Sequence, residues 1–226
     1  MKLQEEIVKQ VEEVLKDHEY TCLVEHRVGD KASDFMIWRC QKPGTSIYGF
    51  DIVITKFGIA VMGDIDGLTF RVGSNYGIGF LAGDDVDYYI HSKLEHSCKT
   101  TEFDQDELKA VAAYEVAQDL SEKLGDELRL EEDEIPDWLR NVETARIHFD
   151  DVLDFLEERY VFSEYVAFLE EARNCYDARE GYECLKDAPF EISDFWEYRL
   201  EKPSYGLMFE LYLINHAAKK IVEKIK

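Results

Sequence analysis

Tyr48-Gly49-Phe50-Asp51-Ile52-Val53-Ile54-Thr55-Lys56-Phe57-Gly58-Ile59-Ala60-Val61-Met62-Gly63 is the stretch that decides the fold class. Tyr48, Phe50, Ile52 and Ile54 recur at every second position, so one face of a strand carries them together. Lys56-Phe57-Gly58 is a tight turn, and a second run rich in branched residues follows it. Together they read as a β-hairpin. Working outward, Thr21 to His26, Phe35 to Cys40 and Leu68 to Val72 are further short strands separated by turn residues. Asp66-Gly67 matches a two-residue type I′ turn, in which both central residues need positive φ. Upstream, Leu3, Ile7, Val8, Val11, Val14 and Leu15 form one stripe of an amphipathic helix over residues 2–17. These signals predict an N-terminal helix with an antiparallel meander of about five strands.

From about residue 100 the apolar period becomes helical. Asp104 and Glu107 form a capping box ahead of Leu108, Val111, Ala112 and Leu120. A helix is predicted from Asp137 or Val142 to Tyr160, and another from Ser163, with Gly181 as its stop. Leu207, Leu211, Ile214, Ala218, Ile221 and Ile225 give the last helix a wide apolar girth. The expected class is therefore α+β. The expected division is 1–98 for the helix and meander and 99–226 for an acidic, mostly helical region, with both together as one domain the alternative.

The chain has 226 residues, with 26 Lys and Arg against 49 Asp and Glu, a net charge of −23. That balance argues against direct binding of a nucleic-acid backbone or an anionic membrane. The charge is uneven. Residues 1–100 hold 16 acidic and 11 basic side chains, residues 101–200 hold 30 and 10, and residues 201–226 hold 3 and 5. Asp150, Asp154, Glu157 and Glu158 recur at helical spacing, and Asp151 extends the row. Glu115, Asp119 and Glu122 do the same on the helix before, and Glu131, Glu132, Asp133 and Glu134 form a continuous acidic turn. Like charges at this spacing repel and give the fold nothing in return.

Other constellations carry weaker chemistry. Asp64, Asp66, Asp84, Asp85 and His91, with Asp51 and Asp87, contain the donors for a divalent cation and hence for phosphoryl chemistry, if the fold converges them. His91, Glu95, His96 and Cys98 contain donors for zinc without a second ligand pair of known spacing. Calcium-loop, P-loop, dinucleotide and Gly-x-Ser-x-Gly patterns are missing from the sequence. The glycine-rich segment through Tyr76, Tyr88 and Tyr89 has the composition of a binding loop. The five cysteines make no C-x-x-C pair, which points to a reducing compartment rather than a disulfide framework. Cys22 and Cys40 fall on predicted strands and read as small core residues. The first residues, Met1-Lys2-Leu3-Gln4-Glu5-Glu6, are charged and helical in pattern and do not read as a secretory leader, so a cytoplasmic location is expected.

Three functional readings follow. The first is a non-enzymatic acidic interaction or inhibitor protein, without cofactor, that presents a nucleic-acid-like negative surface to a basic, nucleic-acid-binding protein. Small proteins of phages and mobile elements that disarm host defence share this composition. Trp138 and Tyr76 are the expected apolar anchors. The second is a metal-dependent phosphoesterase or nuclease using the Asp/His cluster. The third is an acidic assembly protein whose last helix forms a homodimer.

Overall fold

Alternation in the central hairpin sets the frame. In the computed structural model, Phe50, Ile52 and Ile54 are buried while Asp51, Val53 and Thr55 are half-buried on the other face. The structure describes residues 2–26, 35–73, 76–123, 134–159 and 162–225. The class is α+β, and the chain forms two compact units: Met1–Thr100 with Pro203–Lys226, and Thr101–Lys202.

The first unit starts with α1 (Lys2–Leu15), followed by β1 (Glu19–His26), β2 (Phe35–Gln41), β3 (Phe50–Thr55), β4 (Gly58–Gly63) and β5 (Leu68–Phe70). The five strands form one antiparallel sheet in the order β1-β2-β3-β4-β5. Thr55 pairs with Gly58, leaving Lys56 and Phe57 as the turn. Arg39 on β2 grips Asp51 on β3 through two hydrogen bonds of 2.9 and 2.8 Å. Short helix α2 (Ile78–Leu81) and a π-helical turn at Val86–Ile90 follow, the latter capped by the Asp85 carboxylate accepting from the Tyr88 amide.

The Asp66-Gly67 expectation fails. β4 pairs with β5 only from Val61↔Leu68, so the connection is longer than two residues. Gly67 is not among the positive-φ glycines; Gly63 is, at φ 154°. A Cβ on Gly63 would stand 2.3 Å from the Gly49 carbonyl oxygen and 2.6 Å from the Phe50 Cα. The close approach of two backbones, rather than a hairpin tip, is what demands glycine here. Cys22 corrects a second expectation: it is exposed on β1, whereas Cys40 is buried.

The second unit begins with β6 (Thr101–Phe103) and is built around α3 (Gln105–Lys123), which buries Leu108, Val111, Ala112, Ala113, Val116, Ala117 and Leu120. The long helix expected from Asp137 to Tyr160 is three pieces: α4 (Asp137–Arg140), a 3₁₀ segment Val142–Ile147, and α5 (Phe149–Glu157). Asn141 and His148 break it with non-helical backbone at φ −135° and −122°. Next come α6 (Ser163–Asn174), α7 (Ala178–Lys186), a 3₁₀ turn Phe195–Glu197, and β7 (Glu201–Pro203), which pairs with β6. Gly181 does not stop a helix. It lies buried inside α7, where an added Cβ would come within 2.9 Å of Leu200 and 3.3 Å of both Leu108 and Phe103.

The last helix, α8 (Tyr205–Ile225), belongs to the first unit and not to the acidic one. Its Leu207, Leu211, Ile214, Ala218 and Ile221 share one core with Ile7, Val11 and Leu15 of α1 and the inner face of the sheet. Its apolar girth is thus spent inside the unit, against α1, α2 and β1.

Gly63→Ala should destabilise the protein by roughly 3 kcal/mol or more, because backbone must move. Gly67→Ala, which meets open space, should stay within about 0.5 kcal/mol. Urea unfolding of the two variants checks the contrast.

Candidate protein-docking surface

Charge divides between the units. The second unit, residues 101–202, carries 31 acidic and 11 basic side chains, a net of −20; the remainder carries 18 and 15, a net of −3.

The predicted acidic residues meet three fates. Glu115 and Asp119 of α3 are half-buried and serve the interior of their unit. The Tyr198 hydroxyl donates to Glu115. Asp119 accepts from the Tyr165 hydroxyl and from Lys123 Nζ, the latter at 2.7 Å. Burial, then Glu115, pushes the Tyr198 phenol up, and burial, then Asp119, does the same for Tyr165. Glu122 and Glu134 are exposed. Glu131, Glu132 and Asp133 lie outside the described residues.

The row on α5 is different. Phe149, Val152, Leu153 and Leu156 bury the inner side of this helix, which turns Asp150, Asp151, Asp154, Glu157 and Glu158 out to solvent. His148 reaches Asp151 at 2.6 Å, and Arg173 stands 3.8 Å from Asp150. Among the described residues no cation engages Asp154, Glu157 or Glu158. The nearest cation in sequence, Arg159, lies over the Phe155 ring at 4.0 Å. Glu157 and the capping residue Glu158 therefore sit at the negative end of the α5 dipole, where acid is unfavourable.

Sequence reasoning missed the apolar companion of this row. Ile147 is 81% exposed at the end of the 3₁₀ segment, two residues before α5 begins. It shares a cleft of about 310 Å³ with Asp106, Lys109, Arg146, Asp150 and Asp151. Its only sequence signal was an apolar residue at the broken end of a 3₁₀ segment, invisible while the region read as one helix. Tyr176 and Trp196 are also exposed in this unit. Trp138, expected as an anchor, is instead buried with Phe155 packed edge-on at 5.3 Å.

In the first unit, Tyr76 and Tyr89 come together around Phe80, with ring centroids 5.9 and 5.8 Å from it and their hydroxyls 3.4 Å apart. Tyr88 stands out at 77% exposure. The proposed metal donors scatter. Asp64 accepts from the Tyr48 amide, Asp66 donates its amide to Glu210, Asp84 pairs with Lys219 and Asp85 caps the π-helical turn. His91 is half-buried, and burial followed by Lys99 holds it below its ordinary value. Among the described residues no group of three or more His, Cys, Asp or Glu side chains is arranged to hold a metal ion. None of the described helices is long and apolar enough to cross a membrane.

Two measurements follow. Glu157→Lys/Glu158→Lys should raise stability by about 1 kcal/mol in urea unfolding, since the exchange suits the dipole; a loss would mean the carboxylates are structural. Tyr165 and Tyr198 keep their protons in the folded state above the ordinary value of 10.0. Below that pH both states are protonated and stability is full. Above it the unfolded chain releases protons that the folded chain retains, so stability falls as pH rises. Tyr165→Phe/Tyr198→Phe should flatten the decline in melting temperature between about pH 9 and 11.

Comparison with family models, curated proteins and solved structures finds no match, so the reading of function rests on the residues of the chain itself.

Proposed function

We propose that the protein is a non-enzymatic interaction protein whose acidic unit docks on a basic, nucleic-acid-binding protein, in the manner of phage-type inhibitors that imitate nucleic-acid charge. The observation that carries this reading is α5. An exposed isoleucine closes the 3₁₀ segment just ahead of a helix whose outer row is Asp150, Asp151, Asp154, Glu157 and Glu158, with its last carboxylates set against the dipole and free of cations among the described residues. Carboxylates about 5–6 Å apart on a helix face form a row of negative charge comparable in kind to that along a nucleic-acid strand. Their long-range field speeds encounter, and an apolar side chain among them supplies contact once water is expelled.

The tyrosines around Phe80 support a second contact region in the other unit, with Tyr88 as its most exposed member. The acid that serves the fold, Glu115 and Asp119, is excluded from the docking set by its tyrosine partners. The working location in this reading is the cytoplasm, where the partner meets nucleic acid.

The test uses the whole chain as bait in a cell lysate, with duplex DNA as competitor. Captured proteins should be basic and should be displaced by DNA. Asp150→Lys/Asp154→Lys/Glu157→Lys/Glu158→Lys should lower affinity about 100-fold or more while the unfolding midpoint holds or rises. Ile147→Ala should cost about 1–2 kcal/mol of binding. Capture that survives the four-site reversal, or that DNA does not displace, overturns the reading.

A further inference from the structure

The first unit holds a cleft that the docking surface does not use. It measures about 340 Å³ and opens where the β4–β5 connection, residues 97–100 and the start of α8 meet. Leu68 and Leu207, both buried, give it an apolar floor. Two of its lining residues are glycines that the fold does not ask for. Gly67 and Gly206 are not among the positive-φ glycines, and a Cβ on either would meet nothing within 4 Å. Gly206 lies in the first turn of α8, where alanine is the better helix former. It stands four residues before Glu210 on the same helix face, so its missing side chain leaves that carboxylate uncovered.

The polar groups of the cleft have bonding capacity to spare. Glu210 is half-buried, and the Asp66 amide donates to its Oε1 at 2.9 Å. Among the described residues no cation engages it. Burial pushes its carboxyl up, because the charged form lacks the hydration it would have in open water. In the same cleft the Thr100 and Ser204 hydroxyls stand 2.7 Å apart, and Ser204 Oγ accepts from the Leu207 amide at 3.3 Å. The bond between the two hydroxyls uses one of their two protons, and no described residue accepts the other. The cleft thus offers an acceptor without a cation and a donor without an acceptor, over an apolar floor.

We propose that this cleft binds a short amino alcohol, a primary ammonium joined to a hydroxyl by a few methylenes. The ammonium passes over Gly206 and donates to Glu210. The ligand oxygen accepts the spare proton of the Thr100–Ser204 pair, and the methylenes lie on Leu68 and Leu207. A cation returns to the half-buried carboxylate what burial removed. The volume is at the small end of ligand sites, which suits a short ligand. Asp66 is exposed at the rim, and the chain carries a net charge of −23. That field draws an ammonium and repels a carboxylate, so an amino alcohol fits and an amino acid does not. The site lies in the first unit and does not depend on the docking row of α5.

The test titrates the full chain with ethanolamine or 3-aminopropanol at fixed pH and salt, followed by backbone amide NMR shifts. At least one of them should reach half-saturation at about 10 mM or below, with the largest shifts at Gly67, Thr100 and Gly206. Propylamine, which lacks the oxygen, and 1,3-propanediol, which lacks the ammonium, should each bind about tenfold more weakly. Glycine, whose oxygen end is charged, should do the same. Glu210→Gln should lower affinity about tenfold or more. Gly206→Ala should lower it as far while the urea unfolding midpoint holds or rises, which separates a filled cleft from a damaged fold. Propylamine that binds as tightly as the amino alcohols, or shifts spread over the acidic helices of the second unit, would mean an amine drawn by charge alone and overturns the site. Failure of both amino alcohols to saturate overturns it too, as does affinity that survives Gly206→Ala or Glu210→Gln. Glycine binding as tightly as ethanolamine overturns the choice of ligand.

Discussion

Repulsion among carboxylates is the constraint to which the second unit is built. With 31 acidic against 11 basic side chains in 102 residues, its surface cannot be neutralised from within. Self-repulsion of this kind works against the compact state and is offset by what lies inside. The interior is accordingly dense with aromatics and small residues. Tyr165 packs against Phe162, Phe168 meets Phe190, and the alanines of α3 let neighbouring helices approach closely. Where carboxylates turn inward they are bound: Glu115 by Tyr198, Asp119 by Tyr165 and Lys123. A half-buried carboxylate with charge-assisted hydrogen bonds is tolerable, and without them it is not.

That contrast separates acid that the fold uses from acid that it merely bears. Asp104 accepts from the Glu107 amide and from Lys202, and Asp85 and Asp177 cap their own elements. In the outer row of α5 only Asp150 and Asp151 have partners among the described residues, Arg173 and His148. Among the described residues no cation pairs with the side chains of Asp154, Glu157 or Glu158, and the last two oppose the dipole. Residues that lower stability without a structural return are where a second requirement on the sequence is to be sought. The near-neutral first unit, with its single sheet and two long helices, shows that the chain builds an ordinary balanced surface elsewhere.

Much of this architecture was legible in the sequence because it depends on period. Alternation through Phe50, Ile52 and Ile54 marked the meander, and the three-to-four spacing of Leu207, Leu211 and Ile214 marked the last helix. What escaped depends on contacts distant in sequence. Gly63 demands glycine because Gly49 and Phe50 lie against it, and Gly181 because Leu108 and Leu200 do, yet each looked like a local signal or none. The return of α8 to the first unit is likewise a matter of which apolar faces meet. The acidic rows were visible as spacing, but spacing did not separate α3, whose Glu115 and Asp119 face tyrosines, from α5, whose carboxylates face water. Ile147 was hidden by the reading of one unbroken helix from Asp137 to Tyr160.

The central claim is that the α5 carboxylates act through their field on an approaching basic protein. The most direct measurement is the association rate with a captured partner as ionic strength is raised at constant pH. Electrostatic steering predicts a fall of about tenfold or more between roughly 50 and 500 mM salt, with the dissociation rate nearly unchanged. An association rate that stays level over that range would contradict the claim.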